Sequence, residues 1–266
     1  MSKVAVVESG SGPALVCLHG IGSSSASFRA QMEGLEGEMR VVAWDAPGYG
    51  ASEDPEEGPS GMQSYVRAAT ELLEASGRSV YLLGVSWGGV IATLIAASRP
   101  ELLEGLVLVS ASRGSARSRE SAEAMRARAD ELDRLGATDF ASKRAPRLLS
   151  PRADVGLRQR VGAEMALSIR PAGYRAATDA MAATDTTGIL GQIRVPTMVI
   201  CGSDDEVTGM TESEALAASI PDATLVVVDG AGHLVNQEAS RAVNAWVGAF
   251  VELREGLRRP PTGATS

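Results

Sequence analysis

Two cysteines and two histidines in 266 residues are the first things this sequence has little of. Cys17 and Cys201 each sit inside an apolar, strand-like run, so a disulfide framework is excluded and both read as buried reduced thiols. Lysine is scarce too. Apart from Lys3 and Lys143 every basic side chain is arginine, a bias that carries no mechanism by itself. No window reaches the roughly 18 apolar residues that a membrane-spanning helix needs. The opening stretch has too short an apolar run for a secretory signal, and Glu8 interrupts it. A net charge of −8 lacks the basic excess of a general nucleic-acid binder. These absences predict a cytoplasmic protein with no membrane or nucleic-acid partner; a monomer or homodimer is expected, a choice the sequence does not make.

What is present is enough apolar residue, 44%, for one large domain with an inserted subdomain. Residues 3–7 and 14–18 read as strands around the turn Ser9-Gly10-Ser11-Gly12-Pro13. Further strands are expected at 40–44, 80–85, 106–110, 197–201 and 224–228. Helical patterns cover 62–75, 88–97, 212–219 and 237–253. Continuous apolar strands alternating with helices predict an α/β fold, a mostly parallel sheet covered on both faces. From 112 to 187 no strand is expected. Helical patterns at 115–135, 139–145, 155–168 and 174–183 are separated by Pro146, Pro151 and Pro171. The reading is a core of 1–111 and 188–257, a helical cap of 112–187 inserted before the last two strands, and a disordered tail of 258–266. Such a cap lies over the carboxyl ends of the strands, where open α/β sheets bind ligands.

The most informative stretch is Gly84-Val85-Ser86-Trp87-Gly88-Gly89, between an apolar strand and an apolar helix. A turn that tight crowds the backbone around its apex, so the flanking positions must lack bulk, and Gly84 and Gly88 do. Ser86 is then held over the sheet at a helix N-terminus, where N–H groups favour developing negative charge. A serine hydroxyl needs a base. His233, in the loop after the last strand, shares the rim with Ser86. His19 ends an early strand and reads as structural. The base needs a carboxylate to fix its tautomer. Gly202-Ser203-Asp204-Asp205-Glu206 follows strand 197–201 at the same rim, and the choice among its three acids stays open. A metal site competes for an acidic cluster, but no second acidic or histidine cluster supports one.

These residues resemble the α/β-hydrolase superfamily, in the chain order Ser, Asp, His. His19-Gly20-Ile21-Gly22 resembles its oxyanion loop. Asp45-Ala46-Pro47-Gly48-Tyr49-Gly50-Ala51-Ser52 is similar to its D-x-x-G-x-G-x-S segment, which implies a structural Asp45. The likeness covers nearly the whole chain and implies a sheet of seven or eight strands. The pattern G-x-x-D-x-x-x-P implies Asp205 as the triad acid with Ser86 and His233; Gly209 stands where the proline is usual. The N–H groups of Ile21 and Trp87 are implied as the oxyanion hole. Gly20, Gly22, Val207 and Leu234 are expected to line the substrate pocket. The segments Arg144–Ser150 and Gly232–Glu238 resemble 3-oxoadipate enol-lactonase-like small esterases.

The resemblance implies a serine hydrolase of small esters or lactones, working through an acyl-enzyme with no metal or organic cofactor. C–C bond hydrolases of aromatic ring-cleavage products and perhydrolases share the triad; the former carry asparagine where Val85 stands. A ligand-binding protein on the same scaffold is the reading of a different class. A serine nucleophile argues against the aspartate-dependent epoxide hydrolases and dehalogenases. The cap carries a net +4 and the rest of the chain −12. Single arginines read as solvated helix faces, while the cap as a whole leaves an anionic substrate open.

Overall fold

A computed structural model of the chain describes residues 3–54, 61–77 and 79–258. Seven strands form one sheet: β1 (Val6–Ser9), β2 (Ala14–Leu18), β3 (Arg40–Trp44), β4 (Val80–Val85), β5 (Leu103–Val109), β6 (Thr197–Gly202) and β7 (Ala223–Val228). Their order is β1-β3-β2-β4-β5-β6-β7, with β1 antiparallel and the rest parallel. Strands β4 and β6 are buried at every position, as strands covered on both faces must be. The first strand lies later than the predicted 3–7 and pairs with β3, not with its sequence neighbour β2. The reason is the crossing at Gly10, where a Cβ would come 2.2 Å from the Met39 carbonyl oxygen. A chain that passes this closely over the start of β3 continues beyond it, so β2 joins on β3's far side.

Each face of the sheet has its own apolar core. One holds α1 (Arg29–Leu35) and α9 (Ser240–Arg258) through Leu35, Val243, Val247 and Val251. The other holds α2 (Met62–Ser76), α3 (Trp87–Ser98) and α7 (Met210–Ser219), and runs on without a break into the cap. The predicted helix 237–253 is two: α8 (Val235–Glu238) and α9, separated at Ala239. Arg258 ends α9, so it is not part of a tail, and 259–266 lie outside the described residues.

The cap is α4 (Arg119–Arg144), α5 (Val155–Ser168) and α6 (Pro171–Ala182), between β5 and β6. Gly136, at φ 76°, ψ 163°, kinks α4 where the sequence pattern lapses. Ser118 and Asp154 cap α4 and α5 by accepting from Ser121 and Leu157 N–H, and Pro171 opens α6. Polar contacts fasten the cap to the core. Arg170 donates to the carbonyls of Gly48 and Ser52, at 3.2 and 2.5 Å. Arg113 and Arg117 both meet Glu212 of α7. Glu238 accepts from the N–H and hydroxyl of Ser150. Among the described residues no helix is long and apolar enough to cross a membrane.

Candidate active site

The turn between β4 and α3 leaves no room for a side chain on either flank of its serine. A Cβ on Gly84 would fall 2.4 Å from the Gly88 carbonyl oxygen, and one on Gly88 would fall 2.1 Å from that of Leu18. Both positions therefore admit glycine alone. Ser86, between them, takes φ 53°, ψ −113°, a strained conformation for a residue with a side chain. The strain is held by Ser86 N–H donating to Val109 at 2.9 Å and by Ser86 carbonyl accepting from Gly89 at 3.0 Å. Its hydroxyl makes no hydrogen bond among the described residues and lines a cavity under the cap together with His233.

His233 hangs from the loop after β7. Its side chain is 4% exposed, and Nδ1 lies 3.0 and 3.1 Å from the two carboxylate oxygens of Asp205. With Nδ1–H committed to that carboxylate, Nε2 is the nitrogen left with a free lone pair. The structure brings Asp205 to the imidazole, whereas Asp204 accepts from Ser203 Oγ and lines an outer groove. Asp205 is held by local geometry: its Oδ1 accepts from Val207 and Thr208 N–H at 2.8 and 3.1 Å, and its Oδ2 from the Thr208 hydroxyl at 2.7 Å. Burial acts to raise this carboxyl's pKa. The hydrogen bond and charge of His233, with Thr208 and Val207, outweigh it and hold the group well below the ordinary carboxylate range. Gly209, standing where the family has proline, leaves this turn intact at φ 77°.

Facing Ser86 across the cavity is the loop after β2. A Cβ on Gly20 would sit 3.3 Å from Ser86 Cβ, so the loop's backbone packs closely against the serine side chain. The N–H groups of Ile21 and of Trp87, the first residue of α3, donate to no other residue among those described. Ile21, Trp87, Gly20, Gly22, Val207 and Leu234 all line the cavity with Ser86 and His233. The Trp87 indole itself packs away into the core, edge-on to Tyr65 with 4.6 Å between centroids. Two lone N–H donors, an unpaired hydroxyl and a carboxylate-anchored imidazole around one space are a set that can move a proton off oxygen and hold a developing oxyanion.

His19 lies outside this set. It is fully buried, Nδ1 donates to the Gly20 carbonyl at 2.8 Å, and Nε2 accepts from Ala46 N–H at 3.0 Å. Burial lowers its pKa to about 4, so it is neutral in this role. Asp45 is structural in the same way, accepting from Ser25 and Ala51 N–H at 2.8 and 2.9 Å. Among the described residues no group of three or more His, Cys, Asp or Glu is placed to hold a metal ion. Two supporting residues escaped the sequence reading. Thr208 pins the Asp205 carboxylate, and Glu238 accepts from Gly232 N–H at 3.0 Å, fixing the loop that carries His233. A Gly-His stretch followed five residues on by a glutamate is the signal that could have found the second.

Comparison with known proteins agrees with this architecture. Over its whole length the chain is 28% identical to 13% of the polyketide synthase ThaQ of Burkholderia thailandensis, so it spans a small part of that relative. It is 30% identical to a putative carbamate hydrolase, RutD, of Agrobacterium fabrum, covering 84% of this chain and 87% of that one. It is 26% identical to 3-oxoadipate enol-lactonase 2 of Acinetobacter baylyi, over 90% of this chain and 89% of the other. A thermophilic esterase from Thermogutta terrifontis, solved with malate bound, superposes at a TM-score of 0.87 with 28% identity, covering 95% of this chain and 94% of its own. The model of the alpha/beta hydrolase family matches residues 15–246, and the chain belongs to that family.

Proposed function

We propose that the protein is a serine hydrolase that cleaves a small carboxylic ester or lactone through an acyl-enzyme. The observation that carries this reading is the strained Ser86, its hydroxyl unpaired, lining one cavity with a His233 whose Nδ1 is anchored to buried Asp205. His233 Nε2 takes the Ser86 proton as Oγ attacks the carbonyl carbon. The resulting oxyanion accepts hydrogen bonds from Ile21 and Trp87 N–H, each such donor being worth about 3 kcal/mol of barrier. His233 then protonates the leaving oxygen, and the ester bond breaks to leave Ser86 acylated. Water, deprotonated by the same Nε2, releases the acid and restores the serine. In a lactone the leaving oxygen stays tethered, so one product carries both ends. The buried free thiols of Cys17 and Cys201 suit the cytoplasm.

The esterase and enol-lactonase likenesses favour an ester or lactone bond over C–C cleavage, and Val85 before the serine weighs the same way. Hydrolysis of a carbamate by the same residues is the second reading, on the similarity to RutD. Turnover of 4-nitrophenyl esters, enol-lactones, carbamates and dienoate ring-cleavage products by the purified protein separates them. Ester or lactone turnover abolished by Ser86→Ala is the expected result, and turnover confined to carbamates or dienoates would refute the assignment.

A further inference from the structure

Three spaces meet under the cap, and Arg128 and Val207 line all of them. The innermost, over Ser86, is small, about 60 Å³. The largest is a groove of about 750 Å³ along α4, which shares Arg128, Arg144, Leu148 and Val207 with the inner cavity. A substrate that seats its carbonyl at Ser86 and exceeds the inner space extends past Arg128 and Val207 into one of the other two, and the way into the larger groove passes all four shared side chains. Two of the four are cations.

Three acids line the groove with these cations, Glu131, Asp204 and Glu206, and Glu131 feels the charge of Arg144, but none of them forms an ion pair with either arginine. Other bases take the acids of the cap: Glu131 meets Lys143 and Arg134, Asp130 and Asp133 meet Arg175, and Asp179 meets Arg126. Glu164, the acid among the described residues that lines the inner cavity, is 3.4 Å from Arg29. Arg128 and Arg144 make no ion pair among the described residues. Burial, then the charge of Arg144, pushes the half-buried Arg128 guanidinium down to about 10, so it is still charged at neutral pH. Two cations without an ion-pair partner at the mouth of a cavity repel each other, and an anion between them relieves that repulsion. Arg147 and Arg158 line the outer groove as well, but Arg128 and Arg144 also line the inner cavity, and a planar guanidinium matches a carboxylate in two parallel hydrogen bonds.

We propose that Arg128 and Arg144 form a subsite for a carboxylate carried by the substrate beyond its scissile carbonyl. The inference rests on the hydrolase reading of Ser86 and sharpens it: the substrate is a half-ester, or a lactone with a free acid. Specificity then comes from charge at the cavity mouth, with the apolar inner cavity holding only the reacting group.

Two esters with one leaving group test it, 4-nitrophenyl hydrogen adipate and 4-nitrophenyl methyl adipate. Wild-type kcat/KM favours the anionic ester, and added salt erodes the preference. In Arg128→Met/Arg144→Met the preference falls about 10- to 100-fold, the range for losing a hydrogen-bonded charge partner, through KM of the anionic ester. Arg119→Gln, at an exposed site on α4, keeps the wild-type preference. Adipate binding by calorimetry needs no turnover and weakens at least tenfold in the double variant. Equal adipate binding by both proteins, or inorganic phosphate binding as tightly as adipate, overturns the carboxylate subsite and leaves the Ser86 chemistry standing. Arginine-dependent adipate binding without turnover of either ester does the reverse.

Discussion

His19 couples the acid stability of the protein to the loop that faces Ser86. Its imidazole joins two segments only while neutral: Nδ1–H donates to Gly20 and Nε2 accepts from Ala46 N–H. A proton on Nε2 would put two donors face to face in a site with no solvent access. Burial lowers its pKa from 6.5 to about 4. The unfolded chain therefore binds the proton more readily than the folded one, and stability is lost as pH falls from above 6.5 toward 4. One pKa step is about 1.4 kcal/mol, so the full loss is about 3 kcal/mol, of which about 2 kcal/mol falls between pH 8 and pH 5. His19→Gln keeps an acceptor for Ala46 N–H and removes the titration. Urea unfolding of both proteins at pH 8 and pH 5 isolates the effect from all other groups. The wild type is expected to lose about 2 kcal/mol more than the variant over that interval. Parallel losses in the two proteins would show that His19 is not held neutral by burial, and the reasoning would fail.

Two further substitutions follow from the geometry. In Asp205→Asn the amide oxygen stays at the Oδ1 position, where two backbone N–H groups need an acceptor, and the NH₂ group turns toward His233 Nδ1. That favours the tautomer with its proton on Nε2, which cannot accept from Ser86; kcat should fall about 10⁴-fold with the Tm little changed, and a loss under tenfold would contradict the role given to Asp205. Gly88→Ala drives a methyl onto the Leu18 carbonyl and should cost at least about 3 kcal/mol in chemical denaturation, whereas Gly37→Ala, with open space around it, should be close to neutral.

What the sequence made legible divides along physical lines. The parallel sheet was readable because strands buried on both faces form near-continuous apolar runs, as Val80–Val85 and residues 198–201 do. The turn at Ser86 was readable because its flanking positions leave no room for a Cβ. The pairing of β1 with β3 was not, since it depends on a chain crossing at Gly10 whose target lies some 30 residues downstream. Helix α1 is two turns long and too short for a periodic pattern. Of three adjacent acids, the residues alone leave the choice open and the resemblance points to Asp205; the local turn, in which Asp205 accepts from Val207 and Thr208, shows why that one faces His233. The isolation of Arg128 is invisible in a sequence rich in both signs of charge. It emerges only once the neighbouring acids of the cap helices, Asp130, Glu131, Asp133 and Asp179, are seen to pair with other bases.

The central claim is that Ser86 is a nucleophile activated by His233. Intact-mass analysis after treatment with a fluorophosphonate probe tests it most directly. One adduct per chain, mapped to Ser86 and absent from folded Ser86→Ala, is the predicted result. An unlabelled wild-type protein, or an adduct that survives in Ser86→Ala, would contradict the account.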